Sequence, residues 1–408
     1  MDEQRYDEVR AGQWLAGTAV GRGFSRRDLL RTAGLGAAVV GLSAAGVRPA
    51  AADGPIVKPL PPEFFTLLGT NAEMKWEAMR GVGFHTPVDR FFVRNHTSTP
   101  LLDHAAWRLR LHGSGLRGGP VELSLADLRR LPAESYSAAI ECAGNGRSFY
   151  TTQQGETVSG SAWKLGAIGV GRWRGVRLGT VLRRAGLSRD AVDVLPTGLD
   201  PNYVADGVDL GPVRRPLPVG KALDVVLLAY ELDGQPLPPD HGAPVRLVVP
   251  HWIGIASIKW VGDIEVSAQP LFSPWNTQFY RYFGPGYPAG GSAPLTRQVI
   301  KSAFELPLPA ELPAGRTTRL TGRSWSGHGR IRTVRVSTDG GATWRRPRLR
   351  PGGAWTRWEL PWRPPAAGSY ELLARATDET GYRQPDVARY NTLGYLFDGV
   401  VRHPVTVS

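Results

Sequence analysis

The chain has one cysteine, Cys142, among 408 residues. That excludes an intramolecular disulfide, a cysteine-ligated zinc knuckle, an iron–sulfur cluster and a C-x-x-C-H haem site. No apolar run reaches the roughly 18 residues an ordinary membrane span needs. Lysine is scarce: six of the 49 basic side chains. No phosphate-loop, zincin or nucleophile-elbow pattern occurs, and the eight histidines show no zinc spacing. The absence of a Lys/Arg block of five, and of helix-turn-helix or RNP signatures, argues against a nucleic-acid partner. Gly113-x-Gly115-x-x-Gly118 matches a dinucleotide fingerprint, but Gly119-Pro120 follows where a helix must open, so it reads as a glycine loop.

What is present is ordinary globular composition, 42% hydrophobic and 21% charged, in a length that suits two domains. The net charge is +13 and arginine carries most of it. Arginine presents a rigid donor fork that fits oxyanions, so a bound anion is expected.

Ser25-Arg26-Arg27-Asp28-Leu29-Leu30 is a twin-arginine pattern. An apolar Gly/Ala-rich stretch at 33–47 follows, and then Ala50-Ala51-Ala52. That order is the order of an export leader. Residues 1–52 are therefore expected to be a twin-arginine signal peptide standing apart from the fold, and the protein is expected in the periplasm or at the extracytoplasmic face of the cell envelope.

Beyond the leader the pattern is mixed α+β without regular βαβ alternation. Strands are expected at 91–93, 107–112, 137–140, 224–230 and 245–249, and helices opening at Ser124 and near Thr180. After Pro294 the texture changes to short strands at 317–322, 331–337, 355–360 and 370–376, with a hairpin signal at Asp339-Gly340-Gly341. This predicts an α+β catalytic domain over 53–290 and an immunoglobulin-like β-sandwich over 291–408.

The most informative segment is Glu141-Cys142-Ala143-Gly144-Asn145-Gly146-Arg147, where a lone thiol lies between an apolar strand and a glycine loop. A nearby cation favours the thiolate, the form that ligates metal. With Phe92-Val93-Arg94-Asn95-His96, Gly198-Leu199-Asp200, the stretches at 228–238 and 240–246, Ser257-Ile258-Lys259-Trp260 and the segment at 334–344, this loop resembles the sulfite oxidase family of molybdenum enzymes. The resemblance covers nearly everything after residue 60.

The resemblance implies a molybdenum–molybdopterin cofactor with one pyranopterin dithiolene, Cys142 being its metal ligand. It implies that Phe92, Val93, Arg94, Asn95, His96, Asp200, His241, Arg246, Ser257, Ile258 and Lys259 hold the pterin and its phosphate. Arg94, Arg147, Trp163 and Tyr280 are its implied catalytic residues. It further implies oxidation of sulfite to sulfate by oxygen-atom transfer, and a homodimer formed through the second domain. No haem, Fe–S or flavin is expected in the chain, so electrons pass to an external cytochrome or oxygen. Leu393 stands where the sulfite enzymes place an arginine, and Ser159 where a lysine is usual. The alternatives are a molybdopterin enzyme acting on another S- or N-oxide and, in a different class, a cell-surface binding protein.

Overall fold

The computed structural model describes residues 3–17 and 55–408. The twin-arginine pattern and the alanine cleavage site lie outside the described residues. Within the segment expected as leader, Glu3–Leu15 forms a helix, α1, packed on the body of the protein. Its buried residues are Tyr6, Asp7 and Arg10. The burying face is polar, so apolar periodicity gave no sign of it.

The catalytic body is built on one mixed and one antiparallel sheet. One runs Leu217–Pro218, Asp193–Gly198, Val261–Ser267, Arg108–His112, Val121–Ser124 in spatial order. The other runs Gln235–Pro236, Leu227–Leu232, Ile168–Arg177, Ala133–Glu141, with Arg246–Val248 also paired to Leu227–Leu232. Alternation in Arg108–His112 buries Leu109 and Leu111 and exposes the two arginines, as a half-buried strand requires. The Gly113 loop joins two antiparallel strands and opens no helix. A Cβ on Gly113 would stand 2.2 Å from the Val266 carbonyl oxygen. Close packing, and not a nucleotide, requires that glycine.

Ser124 caps Leu125–Arg129 through a capping box with Asp127, as the Ser-x-x-Asp spacing predicts. Residues 91–93 depart from expectation. They make a single bridge, Val93 to Ala72, which leaves the chain beyond Val93 free to line a cavity.

The second domain is two four-stranded sheets. Lys301–Phe304, Thr318–Trp325, Thr356–Trp362 and Arg348–Arg350 form one. Ala310–Leu312, His403–Val407, Gly368–Asp378 and Ile331–Ser337 form the other. Leu320, Val334, Trp358 and Leu372 belong to the apolar core they enclose. The Asp339 turn closes onto a short bridge between Val336 and Arg345, and Ile331–Ser337 takes Gly368–Asp378 as its long partner.

Candidate active site

Strand Ala133–Glu141 delivers Cys142 to the rim of a cleft. The thiol is partly exposed, and the Gly144 backbone N–H points at its sulfur from 3.4 Å. The loop after it is pinned from behind. Glu141 accepts hydrogen bonds from Asn145 Nδ2 at 2.9 Å, Lys301 Nζ at 2.8 Å and Trp325 Nε1 at 3.0 Å. Lys301 and Trp325 belong to the second domain, so the cysteine loop takes its shape from both domains.

The cleft wall contains Phe92, Arg94, Asn95, His96, Cys142, Asp200, His241, Arg246, Ser257, Ile258, Lys259 and Tyr280. These are twelve of the residues the resemblance implies. It also contains Asp240 and Trp260. Arg94, Arg246 and Lys259 face only two carboxylates there, so the cleft has an excess of buried positive charge. Burial lowers the Arg246 guanidinium to about 9, and burial with the Arg246 charge pushes Lys259 well below its usual value. Both shifts mean that the cations are undersolvated and would gain from an anion.

His96 is held neutral by burial and by the charges of Arg94 and Lys259. Trp275 Nε1 donates to His96 Nε2 at 3.0 Å, which makes that nitrogen the acceptor. His241 is held neutral by burial first and then by the charges of Lys58, Lys259 and Arg246. Burial raises the Asp200 carboxyl to about 6. His241 Nε2 and Asp200 Oδ1 are buried and without a partner among the described residues. A soft thiol, surplus buried cations and two unpartnered polar atoms fit a group with a soft metal, an anionic end and hydrogen-bonding edges. Tyr280 holds a φ of 55°, a conformation rarely adopted by a bulky side chain and one that collects at functional sites.

Three expected residues are not on this wall. Val93 is fully buried against Phe65 and Ala72. Trp163 lies in the core, its ring edge-on to Phe92 with centroids 6.3 Å apart. Arg147 is turned into the protein. Its Nε donates to Leu393 O and its Nη1 to Ser161 O, both at 2.9 Å. A Cβ on Gly144 would come within 2.7 Å of that guanidinium.

The sequence reading missed Tyr395. It stacks on Tyr280 with centroids 5.2 Å apart, and the Arg147 guanidinium sits 5.3 Å from its centroid. Its position two residues after Leu393 was the available signal. Leu393 itself meets Arg147 through its carbonyl. Neither nearby arginine compensates for it: Arg402 pairs with Glu371, and Arg389 donates to Gly286 O.

Comparison with known proteins agrees with this geometry. The family described as "Oxidoreductase molybdopterin binding domain" matches residues 96–275, and "Mo-co oxidoreductase dimerisation domain" matches residues 300–407. The chain is 38% identical to sulfite oxidase of Gallus gallus, over 74% of this chain and 68% of that one. It is 37% identical to mitochondrial sulfite oxidase of Homo sapiens over 79% of this chain, and the match spans 62% of the human protein's length. Among solved structures, the sulfane dehydrogenase SoxCD from Paracoccus pantotrophus superposes with a TM-score of 0.72 at 26% identity, covering 90% of this chain and 96% of that one. The chain belongs to the sulfite oxidase family of molybdopterin-dependent oxidoreductases.

Proposed function

We propose that this chain is an exported oxidoreductase that converts sulfite and water to sulfate, releasing two protons and two electrons to an external acceptor. The observation that carries the reading is the cleft itself, in which one thiol, Cys142, faces a surplus of buried cations. Arg94, Asn95, His241, Arg246 and Lys259 would hold the anionic and polar parts of a molybdopterin, and Cys142 would ligate its metal. When bound, that group supplies two-electron redox capacity and oxygen-atom transfer. The chain's own part is positioning. Arg94 offers a fixed positive charge to the substrate oxygens, Tyr280 a hydrogen bond, and neither has to reorganise as charge moves.

A second substrate class is favoured by one observation. Arg147 is engaged by two backbone carbonyls and covered by Tyr395, which leaves Arg94 as the guanidinium next to Cys142 and Tyr280. A sulfur compound of lower charge than sulfite would need only that one. Export, the immunoglobulin type of the sandwich and a homodimer through residues 291–408 belong to the same proposal.

The test is the full chain produced in a host that makes the cofactor and exports by the twin-arginine route. About one molybdenum per chain is the expected outcome, and Cys142→Ser is expected to lose turnover, because a hydroxyl is a poor ligand for a soft metal. Turnover of sulfite with a cytochrome or dye acceptor is expected to vanish with the metal. Full activity in Cys142→Ser overturns the reading, and a monomer by light scattering overturns the dimer.

A further inference from the structure

Helix α1 lies in a groove that two domains complete. Its inward face is residues 3, 6, 7, 10 and 14, spaced as one helical stripe. Asp193, fully buried in the strand Asp193–Gly198, receives Arg10 as a two-toothed fork: Nε to Oδ2 at 3.0 Å and Nη2 to Oδ1 at 2.9 Å. Tyr6 donates its hydroxyl to the same carboxylate at 2.9 Å. Glu3 pairs with Lys221 at 3.1 Å and with Arg297 at 2.9 Å. Trp14 packs on Phe272, with centroids 5.6 Å apart. These partners come from a strand, a helix, a loop and the segment entering the second domain. They stand together only when the molecule is complete.

Asp7 reaches further in. It accepts a hydrogen bond from the Thr296 hydroxyl, and it is the foremost negative charge acting on Arg215. Arg215 is fully buried. Its Nη1 donates to Trp275 O at 3.0 Å and its Nη2 to Leu295 O at 2.7 Å. Trp275 in turn orients His96, and the Leu295 N–H donates to Tyr280 O at 2.7 Å. One buried cation thus ties together two residues that hydrogen-bond to the cleft residues His96 and Tyr280, and α1 brings it its counter-charge.

We propose that α1 is an intramolecular ligand of the folded body, and that its docking is linked through Arg215 to the Trp275–Leu295 segment behind the cleft. The groove is a binding site for a helix bearing Tyr, Asp and Arg at this spacing. A 13-residue helix is marginal alone in water, so α1 forms where it docks. Residues 18–54 join it to the body, so docking ties the chain ahead of Arg26 and Arg27 to the finished fold. Linkage is reciprocal: whatever orders the cleft segment tightens α1, and whatever frees α1 loosens that segment.

Hydrogen exchange on the full chain, without substrate, tests this apart from any catalytic reading. In the native protein the amides of residues 7–15 are expected to be protected. In Arg10→Gln they are expected to exchange at least tenfold faster, and the Leu295 amide at least threefold faster, while strand Ile168–Arg177 is unchanged. A synthetic peptide of residues 1–17 added to Arg10→Gln is expected to restore Leu295 protection. Native exchange at unstructured-chain rates over 7–15 overturns the docking. A loosened helix with an unmoved Leu295, or a peptide that restores nothing, overturns the linkage.

Discussion

Arg147 follows the cysteine loop, as an anion-binding arginine would, yet two carbonyls consume its fork. Each charge-assisted hydrogen bond of this kind is worth roughly 1.5–3 kcal/mol. Lysine replaces the planar fork, which meets the two carbonyls from two different nitrogens, with one compact ammonium. Arg147→Lys is therefore expected to lower unfolding stability by about 2–4 kcal/mol, with the sulfite KM within threefold of the parent. Chemical denaturation and steady-state kinetics read the two effects separately, and an unchanged stability with a greatly raised KM would return Arg147 to the substrate. Tyr395 is the complementary case. Tyr395→Phe keeps the stack on Tyr280 and the contact with Arg147, and is expected to cost less than about 1 kcal/mol, whereas Tyr395→Ala removes both ring contacts and about 3 kcal/mol or more. The cleft lining was legible in sequence where a short run of chain supplies neighbouring wall residues, as in Arg94-Asn95-His96 and Ser257-Ile258-Lys259. The site was illegible where the partner is 246 residues away, as for Arg147 and the Leu393 carbonyl.

At the scale of the element, α1 makes a pH prediction with a fixed sign. Burial raises the Asp7 carboxyl from 3.8 to about 6, against the opposing pull of the Thr296 hydroxyl and the Arg215 charge, with Glu3 and Glu8 adding to the rise. Undocked, Asp7 titrates near its ordinary value. Docking therefore takes up a proton between those two values, so α1 binds better in acid and loses that advantage as pH rises through 6. Between pH 7 and pH 5 the docking equilibrium is expected to strengthen roughly tenfold. Asp7→Asn should flatten this dependence, as seen in protection of the α1 amides across that range. A profile that stays steep in Asp7→Asn would assign the proton elsewhere. The helix also marks the limit of pattern reading. The strands of the second domain and the capped helix after Ser124 announced themselves through alternation and spacing. α1 buries ionic groups instead of an apolar stripe, and its partner Asp193 looks in sequence like any surface acid.

Across the whole molecule, the two domains share charges that neither can satisfy alone. Arg323 of the second domain is fully buried, pairs with Glu305 at 2.6 Å and donates to the carbonyls of Met79, Val82, Gly83 and Phe84 in the first domain. Lys301, also of the second domain, reaches a carboxylate of the first. Its ammonium and the Glu141 carboxylate are both almost wholly buried and 2.8 Å apart. Glu141 also holds Asn145 and immediately precedes the proposed metal ligand. Removing one member of a buried pair leaves the other uncompensated, at a cost of roughly 3–5 kcal/mol, while replacing both with apolar groups of similar size is often neutral. Lys301→Met should therefore destabilise the protein by about that amount, and it should lower molybdenum occupancy, because the stranded carboxylate disturbs the Cys142 loop. Lys301→Met with Glu141→Leu should recover much of the stability. It should not recover the metal, since Asn145 then has no carboxylate to hold the loop. Denaturation curves and elemental analysis of the single and double variants together decide the matter. A double variant regaining both stability and metal would mean that the pair only fills space. One regaining stability alone would place Glu141, through its hold on Asn145, among the groups that shape the site.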